Sequence, residues 1–359
     1  MHIMYGMTYT KGLQTMKRFI ILTALAGLLC SCGSASQSEL TLEEKVAQML
    51  LVRCEENMDN ILDKGAGGVL MFGKDFEGLT KEEVQDKTKR FQKKSDIPVF
   101  IAVDEEGGTV VRVSSNPYLR HEPYSSPAYY YRAGGMDNLI NITAEKSDLL
   151  LELGINLNLA PVADVSTDPD DFIYKRSLGE NAEITAQYIA EAVKAAKRQG
   201  IASCLKHFPG YGSNSDTHTG VAVDVRGIET FRTKDFLPFK SGIAEGVEAI
   251  LMSHNIVTCM DKDVPASLSP TPHNILRDEL NFEGIIITDD LDMGAVSDFG
   301  DVYIRAVNAG NDMLIVSDFD AAVTEIVNGV ENGVIDETLI DQAVERILKA
   351  KEECGIIDK

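Results

Sequence analysis

Residues 201–218 read IASCLKHFPGYGSNSDTH, and the rest of the chain is best interpreted outward from this stretch. The apolar run Ile201–Leu205 predicts a short buried strand, because a continuous run of this length bounded by turn residues is typical of a parallel sheet. Lys206 and His207 follow the run, so two polar side chains are expected at the C-terminal end of a strand. A proline and two glycines come next and predict a loop.

The loop ends in Asp216-x-His218, where a carboxylate can accept a hydrogen bond from the imidazole two residues later. Such a contact fixes the tautomer of the histidine and suits it to carry a proton near neutral pH. A polar surface loop in which Asp216 only closes an Asx turn is the alternative.

Similar apolar runs recur along the chain, and helical patterns separate most of them. Near-continuous apolar strands that alternate with helices indicate a parallel sheet covered on both faces. Eight such strands predict an α/β fold of the (β/α)8 TIM-barrel type, forming a single catalytic domain. A doubly wound open sheet is the competing topology, although no GxGxxG or Walker loop follows any strand. The predicted strands are Gln48–Val52, Gly68–Phe72, Val99–Val103, Asn156–Val162, Ala202–Leu205, Glu248–Met252, Gly284–Ile287 and Asp312–Val316.

The composition excludes some classes of function. The chain has 359 residues, with 56 acidic against 34 basic side chains and a formal net charge of −22. Such an excess of acid repels phosphate backbones, so nucleic-acid binding is excluded. Cys54, Cys204, Cys259 and Cys354 lack the spacing of a zinc site. We therefore expect neither a metal nor another cofactor, and we expect a monomer.

The first 32 residues have the pattern of an export signal. Two basic residues precede the apolar run Phe19–Leu29, which is too short to span a bilayer. The tetrapeptide Leu29-Cys30-Ser31-Cys32 resembles a bacterial lipobox, in which cleavage leaves a diacylglyceryl group on the last cysteine. Residues 1–32 are therefore interpreted as a signal peptide with lipobox, and Cys32 as the lipidated residue.

Met16 is the expected translation start, because residues 1–15 resemble an upstream extension. Residues 33–40 form a polar linker, and residues 41–359 form the barrel domain. The protein is thus expected to be exported and held at a membrane, on its periplasmic or cell-surface side, by the lipid alone. An uncleaved anchor and an ordinary cleaved signal are the alternatives.

Polar side chains follow five consecutive predicted strands, which is where a TIM barrel carries its chemistry. Glu106, Glu180, Asp290 and Asp292 are interpreted as structural residues, since acid–arginine pairs in barrel loops are commonly ion pairs. We expect the others to line one pocket. They are Asp104 and Arg112 after the third strand, Asp164 and Arg176 after the fourth, Lys206 and His207 after the fifth, His254 after the sixth and Asp289 after the seventh.

Three motifs together resemble the β-N-acetylglucosaminidases of glycoside hydrolase family 3. They are Lys206-His207-Phe208-Pro209-Gly210-x-Gly212 with Asp216-x-His218, Val103-Asp104-x-Glu106-Gly107-Gly108, and Thr288-Asp289-Asp290-Leu291. The resemblance extends from about Leu42 to Asp312, and each motif stands at a predicted strand end. The fold of the family is a (β/α)8 barrel.

The resemblance implies a retaining exo-β-N-acetylglucosaminidase that acts on a carbohydrate, with peptidoglycan fragments (muropeptides) as the expected source. It implies that Asp289 is the nucleophile and that His218, held by Asp216, is the general acid/base. It further implies that Asp104, Arg112, Arg176, Lys206 and His207 bind the sugar, with Asp164 and His254 near the pocket.

Other readings stay open at this stage. The chain could be a family 3 β-glycosidase or a glycoside phosphorylase of another sugar specificity. It could be a metal-dependent barrel enzyme, with oxygen and nitrogen ligands from Asp104, Asp164, His207, His254 and Asp289. Against a metal, the ammonium of Lys206 beside these residues would repel a divalent cation. A lipoprotein that binds sugar without cleaving it is the third reading.

Overall fold

A computed structural model describes residues 40–213 and 222–358 of the protein. Within these ranges the chain alternates between short buried strands and helices, as the apolar pattern predicts. The strands are β1 (Leu50–Arg53), β2 (Gly68–Met71), β3 (Phe100–Val103), β4 (Leu157–Asn158), β5 (Ala202–Phe208), β6 (Val223–Asp224), β7 (Ala249–Met252), β8 (Ile256–Val257), β9 (Ile285–Thr288) and β10 (Leu314–Val316).

Eight of these strands form one parallel sheet in the order β10-β1-β2-β3-β4-β5-β7-β9. A parallel bridge between Ile287 and Met313 then joins the two end strands, so the sheet curls round to meet itself. The amide of Thr288 also donates to the carbonyl of Met313 at 3.0 Å. The predicted (β/α)8 barrel is confirmed, and the open doubly wound sheet is wrong.

Helices cover the outside of the barrel. Thr41 and Thr80 form capping boxes, and Gly200 ends a helix in the left-handed conformation at φ 91°. The helices are α1 (Leu42–Gln48), α2 (Met58–Asp63), α3 (Lys81–Lys94), α4 (Pro127–Glu152), α5 (Ala182–Gln199), α6 (Ile228–Thr230), α7 (Phe236–Ala244), α8 (Pro270–Asn274), α9 (Val302–Ala309), α10 (Phe319–Glu331) and α11 (Glu337–Glu353). None of the helices in the described ranges combines the length and the apolar character that a membrane span requires.

The first correction concerns β5, which is longer than its apolar run. The strand continues through Phe208 instead of ending at Leu205. Lys206 and His207 are therefore strand residues, and they do not follow the strand. All seven residues of β5 are buried, including the two polar ones. A prediction based on hydrophobicity alone ends the strand too early, because Lys206 and His207 form ion pairs and hydrogen bonds inside the barrel.

A second, two-stranded parallel sheet lies beside the barrel. It pairs β6 with β8, so that Val223 lies opposite Ile256 and Asp224 opposite Val257. The strand β8 follows β7 closely in sequence, and β6 begins two positions after residue 221. This small sheet fixes the return of the β5 loop to the barrel.

Candidate active site

A cavity of about 340 Å³ opens at the C-terminal ends of the barrel strands. Its lining combines apolar side chains with charged side chains from several strands. The structure brings Asp289 into the same cavity as Lys206 and His207, although these residues are 83 and 82 positions apart in the chain. Its lining includes Arg53, Leu70, Phe72, Asp104, Glu106, Val110, Arg112, Leu159, Arg176, Lys206, His207, Leu251, Asp289, Asp290, Met293 and Ile315.

A bulge in β5 explains how two adjacent residues can face one cavity. In a regular strand, neighbouring side chains point to opposite faces of the sheet. The pairing of β5 with β7 shifts register between Lys206 and Phe208, which leaves His207 as the extra residue. A bulge of this kind re-aims a side chain. Lys206 and His207 consequently both line the cavity.

Lys206 stands between two carboxylates. Its Nζ is 2.5 Å from Oδ1 of Asp104 and 2.7 Å from Oε1 of Glu106. Burial acts to lower the pKa of Lys206, but the two carboxylates outweigh burial and hold that pKa above its ordinary value. The ammonium therefore remains a fixed positive charge in the cavity wall.

Glu106 also holds Arg176. Nε and Nη2 of Arg176 donate to the two carboxylate oxygens of Glu106 at 2.9 and 2.7 Å, which is a bidentate pair. Burial would raise the pKa of Glu106, yet Lys206 and Arg176 hold it far below its usual range. One buried carboxylate thus orients two of the cations that face the cavity.

His207 has a defined hydrogen-bond pattern on both ring nitrogens. Its Nδ1 lies 2.7 Å from Oδ2 of Asp164, and Nη2 of Arg176 lies 3.1 Å from its Nε2. A guanidinium can only donate, so the pattern is satisfied by an imidazole that donates from Nδ1 and accepts at Nε2. Asp164 also accepts the backbone amides of His207 and Tyr211, at 3.0 and 2.7 Å. Asp164 therefore orients His207 and the start of the loop that follows β5.

Asp289 follows β9 directly and lines the cavity. Its backbone amide donates to the carbonyl of Met252, and its Oδ1 accepts the amide of Asp290 at 2.9 Å. Burial would raise the pKa of Asp289. The Asp290 amide and the Lys206 ammonium help to hold that pKa below its ordinary value. The side chain is therefore an anion at neutral pH, positioned by its backbone and open to the cavity.

His254 contacts the backbone of the segment that carries Asp289. The imidazole is fully buried, with Nε2 2.9 Å from the carbonyl oxygen of Asp290 and Nδ1 2.7 Å from Oγ of Ser267. Because a carbonyl can only accept, Nε2 carries a proton. His254 is not among the residues that line the cavity, so its contacts orient the segment that carries Asp289.

Arg112 lines the cavity from a loop that is stabilised by hydrogen bonds to Glu105. The buried carboxylate of Glu105 accepts the backbone amides of Arg112 and Val113, both at 2.7 Å, and the hydroxyl of Ser114. The buried Nε of Arg112 has no hydrogen-bond partner in the protein, so the guanidinium keeps a donor for a ligand.

Sequence reasoning missed Arg53 at the cavity wall. Arg53 ends β1, and its guanidinium pairs with the carboxylate of Asp290, with Nε 2.5 Å from Oδ2. Applying the strand-end rule to the first strand would have found it. Glu106 and Asp290, interpreted from sequence as structural, do form ion pairs, and both also line the cavity.

Three predicted residues cannot be placed. Asp216, His218 and Cys32 lie outside the described residues. The set proposed for metal binding gains no support: within residues 40–213 and 222–358, no group of three or more His, Cys, Asp or Glu side chains is arranged to hold a metal ion. In addition, Asp164 and His207 are engaged with each other, and Asp104 is paired with Lys206.

Comparison with known proteins agrees with this geometry. A β-hexosaminidase of Stenotrophomonas maltophilia is 31% identical over 271 residues, which cover 73% of this chain and 79% of that protein. A β-hexosaminidase of Hydrogenovibrio crunogenus is 30% identical over 280 residues, covering 76% and 77%.

Among solved structures, a glycoside hydrolase family 3 β-N-acetylglucosaminidase from Paenibacillus superimposes with a TM-score of 0.83 at 29% identity. The match covers 88% of this chain and 63% of that one. The N-terminal domain of glycosyl hydrolase family 3 matches residues 41–350. The chain therefore belongs to glycosyl hydrolase family 3.

Proposed function

We propose that the protein is a retaining exo-β-N-acetylglucosaminidase that forms a covalent glycosyl intermediate on Asp289. The observation that carries this proposal is the position of Asp289, an anionic carboxylate in a cavity whose lining also holds four cations. The names of its relatives, β-hexosaminidase and β-N-acetylglucosaminidase, favour N-acetylglucosamine as the sugar.

The proposed first step is attack by a carboxylate oxygen of Asp289 on the anomeric carbon of a β-glycoside. The bond from that carbon to the leaving oxygen breaks, and an acid on the opposite face protonates the leaving oxygen. We assign this acid to His218, held by Asp216. Water then attacks the glycosyl enzyme, gives its proton to the histidine and releases the sugar with retained configuration.

The low pKa of Asp289 suits the role of nucleophile, because only the ionised carboxylate can attack. A histidine that acts as the general acid becomes neutral once it has donated its proton, so it adds no second negative charge to the site. That arrangement favours attack by an anionic acceptor as well, so phosphorolysis belongs among the products to be measured.

The cavity wall supplies donors and acceptors for sugar hydroxyls. Asp104 and Lys206 present a charged pair, Arg176 and His207 a second pair, and Arg112 an unpaired buried Nε. Planar guanidinium groups and carboxylates are common partners for neutral hydroxyls because their hydrogen bonds are charge-assisted. We propose that these five residues hold the terminal N-acetylglucosamine.

The first test compares Asp289→Asn with Asp298→Asn, using 4-nitrophenyl β-N-acetylglucosaminide. Asp298 is an exposed aspartate nine positions later and serves as the matched control. Removal of the nucleophile should lower kcat by about 10³-fold or more, whereas the control should keep its rate. Full activity of Asp289→Asn would refute the assignment.

The two rival readings are separated by simple additions to this assay. A metal-dependent enzyme would lose its activity in EDTA and regain it with zinc or manganese. A binding protein would retain the disaccharide N,N′-diacetylchitobiose with no reducing end released during long incubation. The proposal requires that EDTA has no effect and that free N-acetylglucosamine accumulates.

We further propose that peptidoglycan fragments are the natural substrate and that Cys32 carries a lipid. The lipobox-like sequence supports the anchor. Labelled palmitate should enter the protein and should fail to enter a Cys32→Ala variant. Product analysis should show N-acetylglucosamine released from a peptidoglycan digest faster than from chitobiose. Equal labelling of the variant would refute the anchor, and a preference for chitobiose would refute the proposed source.

A further inference from the structure

A buried ion cluster lies outside the cavity, next to the first residues that follow β5. Arg226 is its centre. Nε and Nη2 of Arg226 donate to the carboxylate of Asp224 at 2.9 and 2.7 Å, and Nη1 donates to both oxygens of Asp235 at 3.1 and 3.0 Å. The two carboxylates are 2% and 1% exposed, so both are shielded from water, while Arg226 is 22% exposed. Arg226 is absent from the residues that line the cavity.

The cluster packs directly on the strand-proximal side of the loop, which we call the incoming stem (residues 209–213). Gly210 and Gly212 belong to this stem and have φ values of 124° and 57°, in the region that favours glycine. A Cβ on Gly212 would lie 2.6 Å from the guanidinium carbon of Arg226, and a Cβ on Gly210 would lie 2.7 Å from Asp235. Nη2 of Arg226 also donates to the carbonyl of Gly210 at 3.4 Å. The two glycines leave room for the cluster.

The same cluster holds the outgoing stem (residues 222–226). Asp224 belongs to β6, whose pairing with β8 is supported by the amides of Ile256 and Thr258, which donate to the carbonyls of Ala222 and Asp224 at 2.9 Å each. The guanidinium of Arg226 stacks over the ring of Phe231, 4.3 Å from its centroid. One side chain thus contacts both stems and the helical segment beneath them.

We propose that Arg226 is a positioning residue that holds the two stems together, and that the acid/base step assigned to Asp216 and His218 depends on this order. This inference rests on the proposed function, which assigns those two residues to acid/base catalysis. Arg226 touches neither the cavity nor Asp289, so its removal should impair protonation of the leaving group and spare attack by the nucleophile.

The test measures kcat/KM on two glycosides with different leaving groups. The 4-nitrophenyl glycoside has an acidic leaving group that needs little protonation, and the methyl glycoside has a poor leaving group that needs the acid. Arg226→Ala should lower kcat/KM by about 30-fold or more on the methyl glycoside and by less than about threefold on the nitrophenyl glycoside. Arg226→Lys, which keeps the charge but loses the fork, should fall between these values on the methyl glycoside.

Arg232→Ala is the matched control. Arg232 also pairs with two carboxylates, Glu229 and Glu279, but these pairs are on the surface and touch neither stem. Its removal should leave both glycosides unaffected, since surface pairs contribute little. Equal losses on the two glycosides in Arg226→Ala, or no loss on either, would overturn the proposal.

A second readout does not depend on activity. Hydrogen exchange at the amides of Tyr211, Ile256 and Thr258 should be about tenfold or more faster in Arg226→Ala than in Arg232→Ala, because these amides report order in the two stems. Unchanged exchange would overturn the positioning role. If the wild type cleaves neither glycoside, or Asp289→Asn stays active, the proposed function fails, and the exchange result still decides whether Arg226 orders the stems.

Discussion

Burial of Lys351 predicts a change in the free energy of unfolding with pH, and its size can be calculated from the surroundings of the side chain. Lys351 lies on α11, at the barrel end opposite the cavity, and its side chain is fully buried. Its Nζ donates to Oε1 of Gln48 at 2.8 Å, and the ring of Phe100 lies 5.6 Å away. Burial lowers the pKa of Lys351 to about 7.

The consequence for stability follows from proton linkage. An unfolded chain has an ordinary lysine pKa of about 10.4, so it binds more protons than the folded chain at any pH between about 7 and 10.4. The free energy of unfolding therefore rises with pH across this window. At pH 7 the unfavourable contribution of Lys351 is about 4 kcal/mol, from about 1.4 kcal/mol for each tenfold change in proton affinity.

Lys351→Met keeps the length of the side chain and removes the titrating group. The variant leaves Gln48 Oε1 without its donor, which costs about 1–3 kcal/mol. We expect it to be more stable than the wild type at pH 7 by about 1–3 kcal/mol, and less stable than the wild type near pH 10.4, where the ionisation contribution has vanished.

Urea unfolding followed by far-UV circular dichroism measures this difference at both pH values, since the chain has no tryptophan to report by fluorescence. Lys349→Met, on the exposed side of the same helix, should change the unfolding free energy by less than about 0.5 kcal/mol at either pH. A Lys351→Met difference that does not vary with pH would refute the reasoning.

Two further predictions concern the site. Glu106→Gln removes the carboxylate that Lys206 and Arg176 share, so we expect KM for the nitrophenyl glycoside to rise by about tenfold or more and the unfolding free energy to fall by about 3 kcal/mol. Glu180→Gln is its control, and equal kinetics in the two variants would contradict the prediction. Gly212→Ala places a methyl group 2.6 Å from Arg226, and turnover of the methyl glycoside should fall by about tenfold. Gly333→Ala is its control, because Gly333 also has a positive φ, 69°, but no atom lies within 4 Å of a Cβ built there. Equal losses of turnover in the two variants would attribute the effect to backbone strain and not to crowding.

The barrel could be predicted from sequence because its signals are local. Each strand of the sheet falls within or close to a predicted apolar run, and α5 ends where a glycine, Gly200, adopts the left-handed conformation. Helix α4 is less regular. The helix begins at Pro127, and non-helical backbone at Gly134 and Gly135 interrupts it.

The site could be predicted only in part, because its geometry depends on contacts between distant elements. The strand-end rule collects residues of the right chemistry, such as Asp289 and Arg112, on one face of the barrel. It cannot show that a bulge in β5 turns His207 into the cavity, or that Glu106 bridges two cations. It also gave no indication of Arg226, whose partners are recognisable only once the two stems lie side by side.

The central claim is that the carboxylate of Asp289 becomes covalently attached to the sugar. A 5-fluoro N-acetylglucosaminyl fluoride should form the glycosyl enzyme quickly, because fluoride is a good leaving group. Hydrolysis of the glycosyl enzyme should then be slow, because the fluorine at C5 of the sugar slows the second step. Digestion and mass spectrometry should then find the sugar mass on the peptide that contains Asp289, and the label should be absent from Asp289→Asn. A label on another carboxylate, or rapid turnover of the reagent with no labelled peptide, would contradict the account.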